Sequence, residues 1–380
     1  MKVAIVSPYD YSRPSGVNNH VRNLSKYLVK SGIESKVIAP LSKTKDFYDE
    51  NFIPMGKPIP IPSGGSVARV SLSFWLRPRI EKILEEGKFD VIHLHEPFAG
   101  AITLSALVSD ISNAPIKIAT YHSYNGSNIY KLFSHKLLNK YSNFLDGRIA
   151  VSNPAKNFIH KFMPAEYEII PNAVDIEKFK NSDYFDEYSD DKVNILFLSR
   201  LEKRKGLKYL ISAYVNLKII NPNIRLIIVG GGKADSDSLK LLSNHSVEDV
   251  VFVGEVSEED KIRYFNSSDI FCAPATGRES FGIVLLEAMA SKLPIVATSI
   301  EGFKQVLSNR RESLLVAPKD VTELSKALSL LINDAELRKD LADEGYYRVG
   351  NYSWDIICER IINYYKKISE IKNRISRSHV

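Results

Sequence analysis

Short apolar runs alternate with amphipathic stretches along nearly the whole chain. In the first half the runs are KVAIVS (2–7), SKVIAP (35–40), KPIPIP (57–62), FDVIHLH (89–95), IKIATYH (116–122) and GRIAVS (147–152). Residues 17–31, 78–86, 98–110 and 129–144 between them carry apolar positions at helical spacing. Gly32 and Gly87 stand where helices should stop. Strands apolar on both faces belong in a parallel sheet covered by helices on each side. A polar, acidic stretch at 180–192 follows the turn Pro171-Asn172 and reads as an exposed connection. The pattern then restarts with VNILFLS (193–199), IRLIIVG (224–230), DVVFVG (249–254), DIFCAP (269–274), PIVATS (294–299) and SLLVAP (313–318). Helical stretches at about 320–331, 334–348 and 353–373 close the chain. The expectation is an α/β protein of two Rossmann-like, doubly wound domains, 1–172 and 173–355. A terminal helix from about 356 to 380 should pack back on the first. Ligands of such sheets bind outside the carboxyl ends of the strands, so an interdomain cleft is where the chemistry is sought.

Composition agrees with a globular protein, at 44% hydrophobic and 25% charged residues over 380 positions. No apolar run approaches the roughly 20 residues needed to span a bilayer. The N-terminus enters a strand directly, without the pattern of a signal peptide. Cys272 and Cys358 are too few and too far apart for a disulfide framework or a metal-ligand set, so a cytoplasmic location is expected. The net charge of +6 is uneven: residues 1–172 hold 21 Lys/Arg against 14 Asp/Glu, and the remainder 30 against 31. A basic first half favours an anionic partner such as phosphate or an acidic lipid surface, with solubility alone as the plainer alternative. No nucleic-acid partner is expected. A Rossmann dehydrogenase is disfavoured, because the first strand is not followed by G-x-G-x-x-G.

Candidate chemistry is densest in the second half. After the run 269–274 comes a polar loop containing Glu279, then Ser280-Phe281-Gly282-Ile283 at an expected helix N-terminus, then Glu287 inside an apolar helical run. Free N–H groups at such a terminus attract phosphate. A glutamate placed like Glu287 needs a partner, either an arginine or the hydroxyls of a ligand. Arg200 and Lys205 flank the loop after the strand 193–199, two cations at a sheet edge suited to clamping a diphosphate. The glycine run Gly230-Gly231-Gly232 lets a ligand approach the backbone. Lys261 reads most simply as a surface lysine. Asp235-Ser236-Asp237 follows the glycine run and reads as a helix cap, not as a metal-binding D-x-D.

In the first half Gly16 opens a helix after the first strand, and His122 ends the strand 116–122. A histidine there can hydrogen-bond a sugar hydroxyl, or simply the backbone. His93 and His95 share one strand face, but no third metal ligand is apparent and they read as structural. Phe74-Trp75-Leu76-Arg77-Pro78-Arg79 mixes aromatics and cations ahead of a helix, as a lipid interface does, while a core placement of Trp75 and Ile80 is the competing reading.

R-L-x-x-x-K-G at 200–206, followed by E-S-F-G-x-x-x-x-E-A-M-A at 279–290, resembles the retaining glycosyltransferases of the GT-B fold, family 4, and the similarity covers nearly the whole chain. The resemblance implies a nucleotide diphosphate sugar as donor. Arg200 and Lys205 would neutralise the diphosphate, Glu287 would bond the ribose and Glu279 the sugar hydroxyls. Amides near Ser280, Phe281, Gly282 and Ile283 would add contacts, with Gly230 and Lys261 bordering the nucleotide and Gly16 its distal phosphate. It also implies front-face retaining transfer, in which the leaving diphosphate takes the acceptor proton and no metal or other cofactor takes part. Within this family the N-terminal third is similar to the phosphatidylinositol mannosyltransferases, through Tyr9, Ser15-Gly16-Val17, 60–62, Gly65-Ser66-Val67-Ala68-Arg69 and H-x-H-E-P at 93–97. That similarity implies GDP-mannose as donor and the inositol of a membrane phospholipid as acceptor. Tyr9, Asn18 and His122 would border the acceptor and Arg69 its phosphate, on the inner face of the plasma membrane. Ser63-Gly64 and the lysine-free Ser-Tyr-Asn-Gly-Ser after His122 depart from the subgroup. The competing functions are a UDP-sugar transferase acting on a soluble molecule or glycan, a nucleotide-sugar epimerase or phosphorylase, and a non-catalytic nucleotide-binding module.

Overall fold

The computed structural model describes residues 1–42, 49–63, 66–124, 130, 135–180, 183–245 and 247–378. Gly64, Gly65 and 125–127, which figure in the sequence motifs above, lie outside the described residues. The chain forms two compact units, Met1–Asn172 with Trp354–Val380, and Ala173–Ser353.

The first unit is built on a seven-stranded, wholly parallel sheet. Its strands are β1 (Lys2–Val6), β2 (Glu34–Ala39), β3 (Phe52–Pro54), β6 (Val91–His95), β7 (Ile116–Tyr121), β8 (Gly147–Ala150) and β9 (Glu168–Ile169), in the order β3-β2-β1-β6-β7-β8-β9. One expected strand is displaced. The prolines of KPIPIP have no N–H to give a ladder, so this segment cannot occupy a sheet interior. It instead forms β4 (Ile59–Ser63), a hairpin with β5 (Ser66–Val70), and β3 takes the sheet edge. The helix expected at 98–110 shortens to α3, Ala101–Val108, because residues 96–99 form a turn.

Helix α1 (Gly16–Lys30) is capped by Ser15, whose Oγ accepts from the Asn18 amide at 3.1 Å. Its inner face buries Val21, Leu24 and Leu28, together with the polar Asn18 and His20. The terminal helix, Trp354–Ser378, belongs to this unit. Trp354 is fully buried, its ring 5.1 Å from that of His20 and 5.9 Å from that of Tyr27. Burying aromatics of this size supplies about 1.5–3 kcal/mol each, which fixes the helix end against α1.

The second unit carries a six-stranded parallel sheet: β10 (Val193–Leu198), β11 (Ile224–Val229), β12 (Val250–Gly254), β13 (Ile270–Ala273), β14 (Ile295–Thr298) and β15 (Ser313–Val316), in the order β12-β11-β10-β13-β14-β15. Alternate residues feed two cores, Leu196, Ile227 and Phe271 on one face and Ile195, Ile228 and Cys272 on the other. In both units the winding reverses beside the first strand, β1 against β6 and β10 against β13, which opens a crevice at the carboxyl edge. Among the described residues no helix is long and apolar enough to cross a membrane.

Candidate active site

In the second unit the loops after β10, β11 and β13 meet at this reversal. The chain leaves β10 through Arg200, makes a single 3-10 turn at Lys203–Lys205, and enters α4 (Leu207–Ile220). Gly206 makes the entry possible: its φ is +79°, and a Cβ there would stand 1.9 Å from the Pro274 carbonyl oxygen. The backbone of the loop after β13 is thus pressed against the cationic turn, and the Thr276 amide donates to the Arg204 carbonyl at 2.7 Å. Gly230 does the same for the loop after β11: its φ is +141°, and a Cβ there would stand 1.9 Å from the Ser199 carbonyl oxygen.

The charged side chains in this corner are paired with one another. Glu279 Oε1 lies 2.5 Å from Arg204 Nη1 and 2.6 Å from Lys205 Nζ. Glu202 bonds Arg204 Nε at 2.8 Å and Arg200 Nη1 at 3.1 Å. Arg200 is more open than Arg204 or Lys205, with 57% of its side chain exposed. Glu279, Arg204 and Lys205 are largely enclosed, which strengthens each interaction relative to a surface pair. Two further helices, α5 (Glu258–Asn266) and α6 (Ile283–Ala290), bring Lys261 and Glu287 together at 2.7 Å. The surface assignment of Lys261 is therefore corrected: its side chain is only 12% exposed. Burial opposes its charge, but Glu287 and then Glu258 outweigh it and hold the ammonium above the ordinary lysine range. The partner that Glu287 requires is this lysine and not an arginine. Gly282 caps α6, while the Phe281 ring is buried, so Phe281 can offer a ligand only its backbone. Ser280 and Ile283 flank it in the partly exposed first turn. Asp235 accepts from the Ser238 amide at 3.0 Å and caps the helix Ser236–Asn244.

In the first unit the corresponding edge holds a group of buried histidines. His20 from α1, His95 from β6 and His122 after β7 have ring nitrogens within 4.8 Å of one another. His95 Nδ1 is 2.9 Å from His122 Nε2. Sequence spacing pairs His93 with His95, but the fold separates their partners: His93 bonds the Tyr365 hydroxyl and Thr120 Oγ1, each at 2.6 Å. Burial pushes His20 down to about 4 and His93 to about 3, and holds His95 and His122 well below 6.5. All four rings are thus neutral at physiological pH. Three neutral histidines can form a donor set for a metal ion, but here the His95 and His122 nitrogens that face each other are engaged in their own hydrogen bond.

Asn18 does not stand open to a ligand as expected. It is buried, and its Nδ2 donates to the carbonyls of Asp10 at 2.7 Å and Arg13 at 2.8 Å, bracing the loop after β1. Tyr9 bridges to Val70, and Arg69 lies on β5 with its carbonyl accepting from Asp10. Burial and then the charge of Glu96 keep the Tyr9 phenol protonated well above its usual range. Gly16 is the exposed first residue of α1.

Residues 14–178 match the Glycosyltransferase Family 4 profile, and residues 180–348 the profile of Glycosyl transferases group 1. A phosphatidyl-myo-inositol mannosyltransferase of Mycolicibacterium smegmatis is 33% identical over 373 residues, 97% of this chain and 94% of that protein. The chain belongs to the GT-B glycosyltransferases of family 4. Two solved structures share the fold of this glycosyltransferase. Sucrose-phosphate synthase from Thermosynechococcus elongatus superposes with a TM-score of 0.76 at 19% identity, over 97% of this chain and 99% of that one. Anabaena Alr3699/HepE in complex with UDP gives 0.74 at 18%, over 97% and 100%.

Four residues escape sequence reasoning: Glu202 and Arg204 in the second unit, and His20 and Glu96 in the first. Glu202 and Arg204 sit in a charged run that looks solvated, although their alternation with Arg200 and Lys205 is a signal. His20 is marked only by its place on the apolar face of α1.

Proposed function

We propose that this glycosyltransferase moves mannose from GDP-mannose to the inositol of phosphatidylinositol, with retention and without a metal. The observation that carries the donor half is the cluster of Arg200, Arg204, Lys205 and Glu279 at the reversal beside β10. Full-length similarity to phosphatidyl-myo-inositol mannosyltransferases supports the acceptor. Arg200 and Lys205 take up the charge that develops on the leaving diphosphate. Glu279 accepts from donor-sugar hydroxyls, and Glu287 exchanges part of its bond to Lys261 for the ribose diol. The bond from the anomeric carbon to the β-phosphate oxygen breaks with its electron pair on the phosphate. The inositol oxygen bonds to that carbon on the same face, and its proton passes to the departing phosphate. The test is transfer of labelled sugar to phosphatidylinositol in vesicles, from GDP-mannose and in a parallel assay from UDP-glucose, with and without EDTA. Lipid-bound label from GDP-mannose that EDTA leaves intact is expected; label only from UDP-glucose, or loss on chelation, contradicts the proposal.

A lipid acceptor requires the enzyme to reach a bilayer, and we place the contact on the first unit. The core placement of Trp75 is corrected by the structure: Trp75 is 93% and Phe74 61% exposed, whereas Ile80 is buried. Exposed Val67 and Leu72 lie near in sequence, and α2 (Arg77–Gly87), with Pro78 in its first turn, supplies Arg77, Arg79 and Lys82. Apolar anchors beside cations suit the interface of an anionic leaflet, which for a cytoplasmic enzyme is the inner face of the plasma membrane. Replacing Phe74 and Trp75 together by Ser should cut co-sedimentation with phosphatidylinositol-containing vesicles at least tenfold, since each aromatic contributes about 1.5–3 kcal/mol when buried. Unchanged partitioning would place the contact elsewhere.

A further inference from the structure

Glu96 follows the second histidine of H-x-H-E-P and is buried to within 1% of its surface, with no cation bonded to it among the described residues. Its backbone is left-handed, φ +47°, a conformation that a residue with a side chain adopts rarely and keeps only when its surroundings enforce it. Two bonds hold that turn: the Glu96 amide donates to the Thr120 carbonyl at 3.0 Å, and its carbonyl accepts from Ala99 at 2.9 Å. The turn directs the carboxylate to the end of β7. There Oε1 accepts from the backbone amides of His122 at 2.7 Å and Ser123 at 2.8 Å, and Oε2 from the Tyr130 hydroxyl at 2.8 Å. A buried carboxylate bonded by three neutral donors is costly unless all three stay in place, so its bonds are stiff.

The residue before it grips the same histidine from the ring side, through His95 Nδ1 and His122 Nε2. His95 Nε2 is buried and has no hydrogen-bond partner among the described residues. An unpaired buried N–H is rarer than an unpaired acceptor, so the His95 proton is assigned to Nδ1 and donated to His122. The His122 proton then sits on Nδ1, which makes the ring a donor through that atom. His122 is therefore fixed in main chain and in tautomer by two consecutive residues of one turn.

We propose that Glu96 is a positioning residue for the transfer reaction, acting through His122. This rests on His122 bonding the donor sugar or the acceptor, as set out above. Bonded to the His122 and Ser123 amides and the Tyr130 hydroxyl, its carboxylate sets where the His122 ring stands and keeps it there during the reaction.

The experiment is a double-mutant cycle on the full-length enzyme, with GDP-mannose and phosphatidylinositol vesicles and KM for GDP-mannose measured beside kcat. Glu96→Asp keeps the charge but shortens the reach by one methylene. It should lower kcat at least tenfold with KM for GDP-mannose within twofold. In a His122→Ala background the same change should lower kcat no further. Glu96→Gln retains one oxygen to accept both amides and an NH2 to meet the Tyr130 oxygen, and should recover most of the kcat lost in Glu96→Asp. Equal losses from Glu96→Asp with and without His122 would overturn the positioning role, leaving a merely structural one. A His122→Ala enzyme with wild-type kcat would instead overturn the role of His122 itself, and the positioning role with it.

Discussion

Glu279→Ala should lower transfer at least about 10²-fold while leaving GDP affinity as high as in the wild type, or higher. The two effects separate because Glu279 has two roles. In the free site its Oε1 neutralises Arg204 at 2.5 Å and Lys205 at 2.6 Å, so it competes with the diphosphate for those cations. Removing it frees Lys205 and leaves Arg204 with Glu202 alone, so more positive charge faces the ligand. In the proposed reaction the same carboxylate would accept from sugar hydroxyls whose orientation the transition state requires. Loss of one preorganised contact of this kind lowers kcat by about 10²–10³-fold. Arg200→Ala supplies the contrast. It removes an open cation with no catalytic carboxylate, and a charge-assisted hydrogen bond of about 1.5–3 kcal/mol. GDP should then bind about 10- to 100-fold more weakly in calorimetry, at about 1.4 kcal/mol per factor of ten. Glu279→Ala enzyme that turns over at a tenth of the wild-type rate would remove the sugar contact. Equal loss of GDP affinity in both variants would mean that Glu279 merely holds the turn together.

Acidification should unfold the first unit well before the second. His20, His93, His95 and His122 are buried and neutral, each with its folded pKa depressed, to about 4 for His20 and about 3 for His93. Below pH 6.5 the unfolded chain binds a proton at each of these positions and the folded unit does not. Stability is therefore complete above 6.5 and falls as pH drops, until the folded pKa values are reached. Each histidine contributes about 1.4 kcal/mol per pH unit within that window. Four together remove on the order of 5 kcal/mol by pH 5.5, comparable with the whole stability of many domains. Scanning calorimetry from pH 8 to 5 should show one transition falling steeply below about 6.5, with His20→Phe reducing the slope. A transition that is flat down to pH 5 would mean that these histidines take up protons in the folded state.

The sheet architecture is legible because both halves write it in short apolar runs, which burial on two faces demands. The exception, KPIPIP, is instructive: its apolar pattern suits a strand, but Pro58, Pro60 and Pro62 remove the ladder donors, and the segment becomes a separate hairpin. Arg200, Lys205 and Glu287 are legible because strand ends and helix faces fix where their backbones lie. Their pairing is less so. Lys261 looks like any surface lysine along its helix, and only the fold of the unit, in which both helices share one apolar core, brings it to Glu287. The histidine group is hidden for the same reason, since His20, His95 and His122 come from three separate elements. Asn18 shows the opposite error. The resemblance to phosphatidylinositol mannosyltransferases implies an inositol contact, yet both of its amide N–H groups go to carbonyls of the loop before α1.

The account turns on mannosyl transfer with retention from GDP-mannose to phosphatidylinositol. The most direct measurement is the anomeric configuration, by NMR, of the glycolipid that the purified enzyme forms from these two substrates. An α-mannosyl inositol phospholipid, matching the α-configuration of the donor, is the expected product. A β-linked product, or none from this pair under conditions where the enzyme binds GDP, would contradict it.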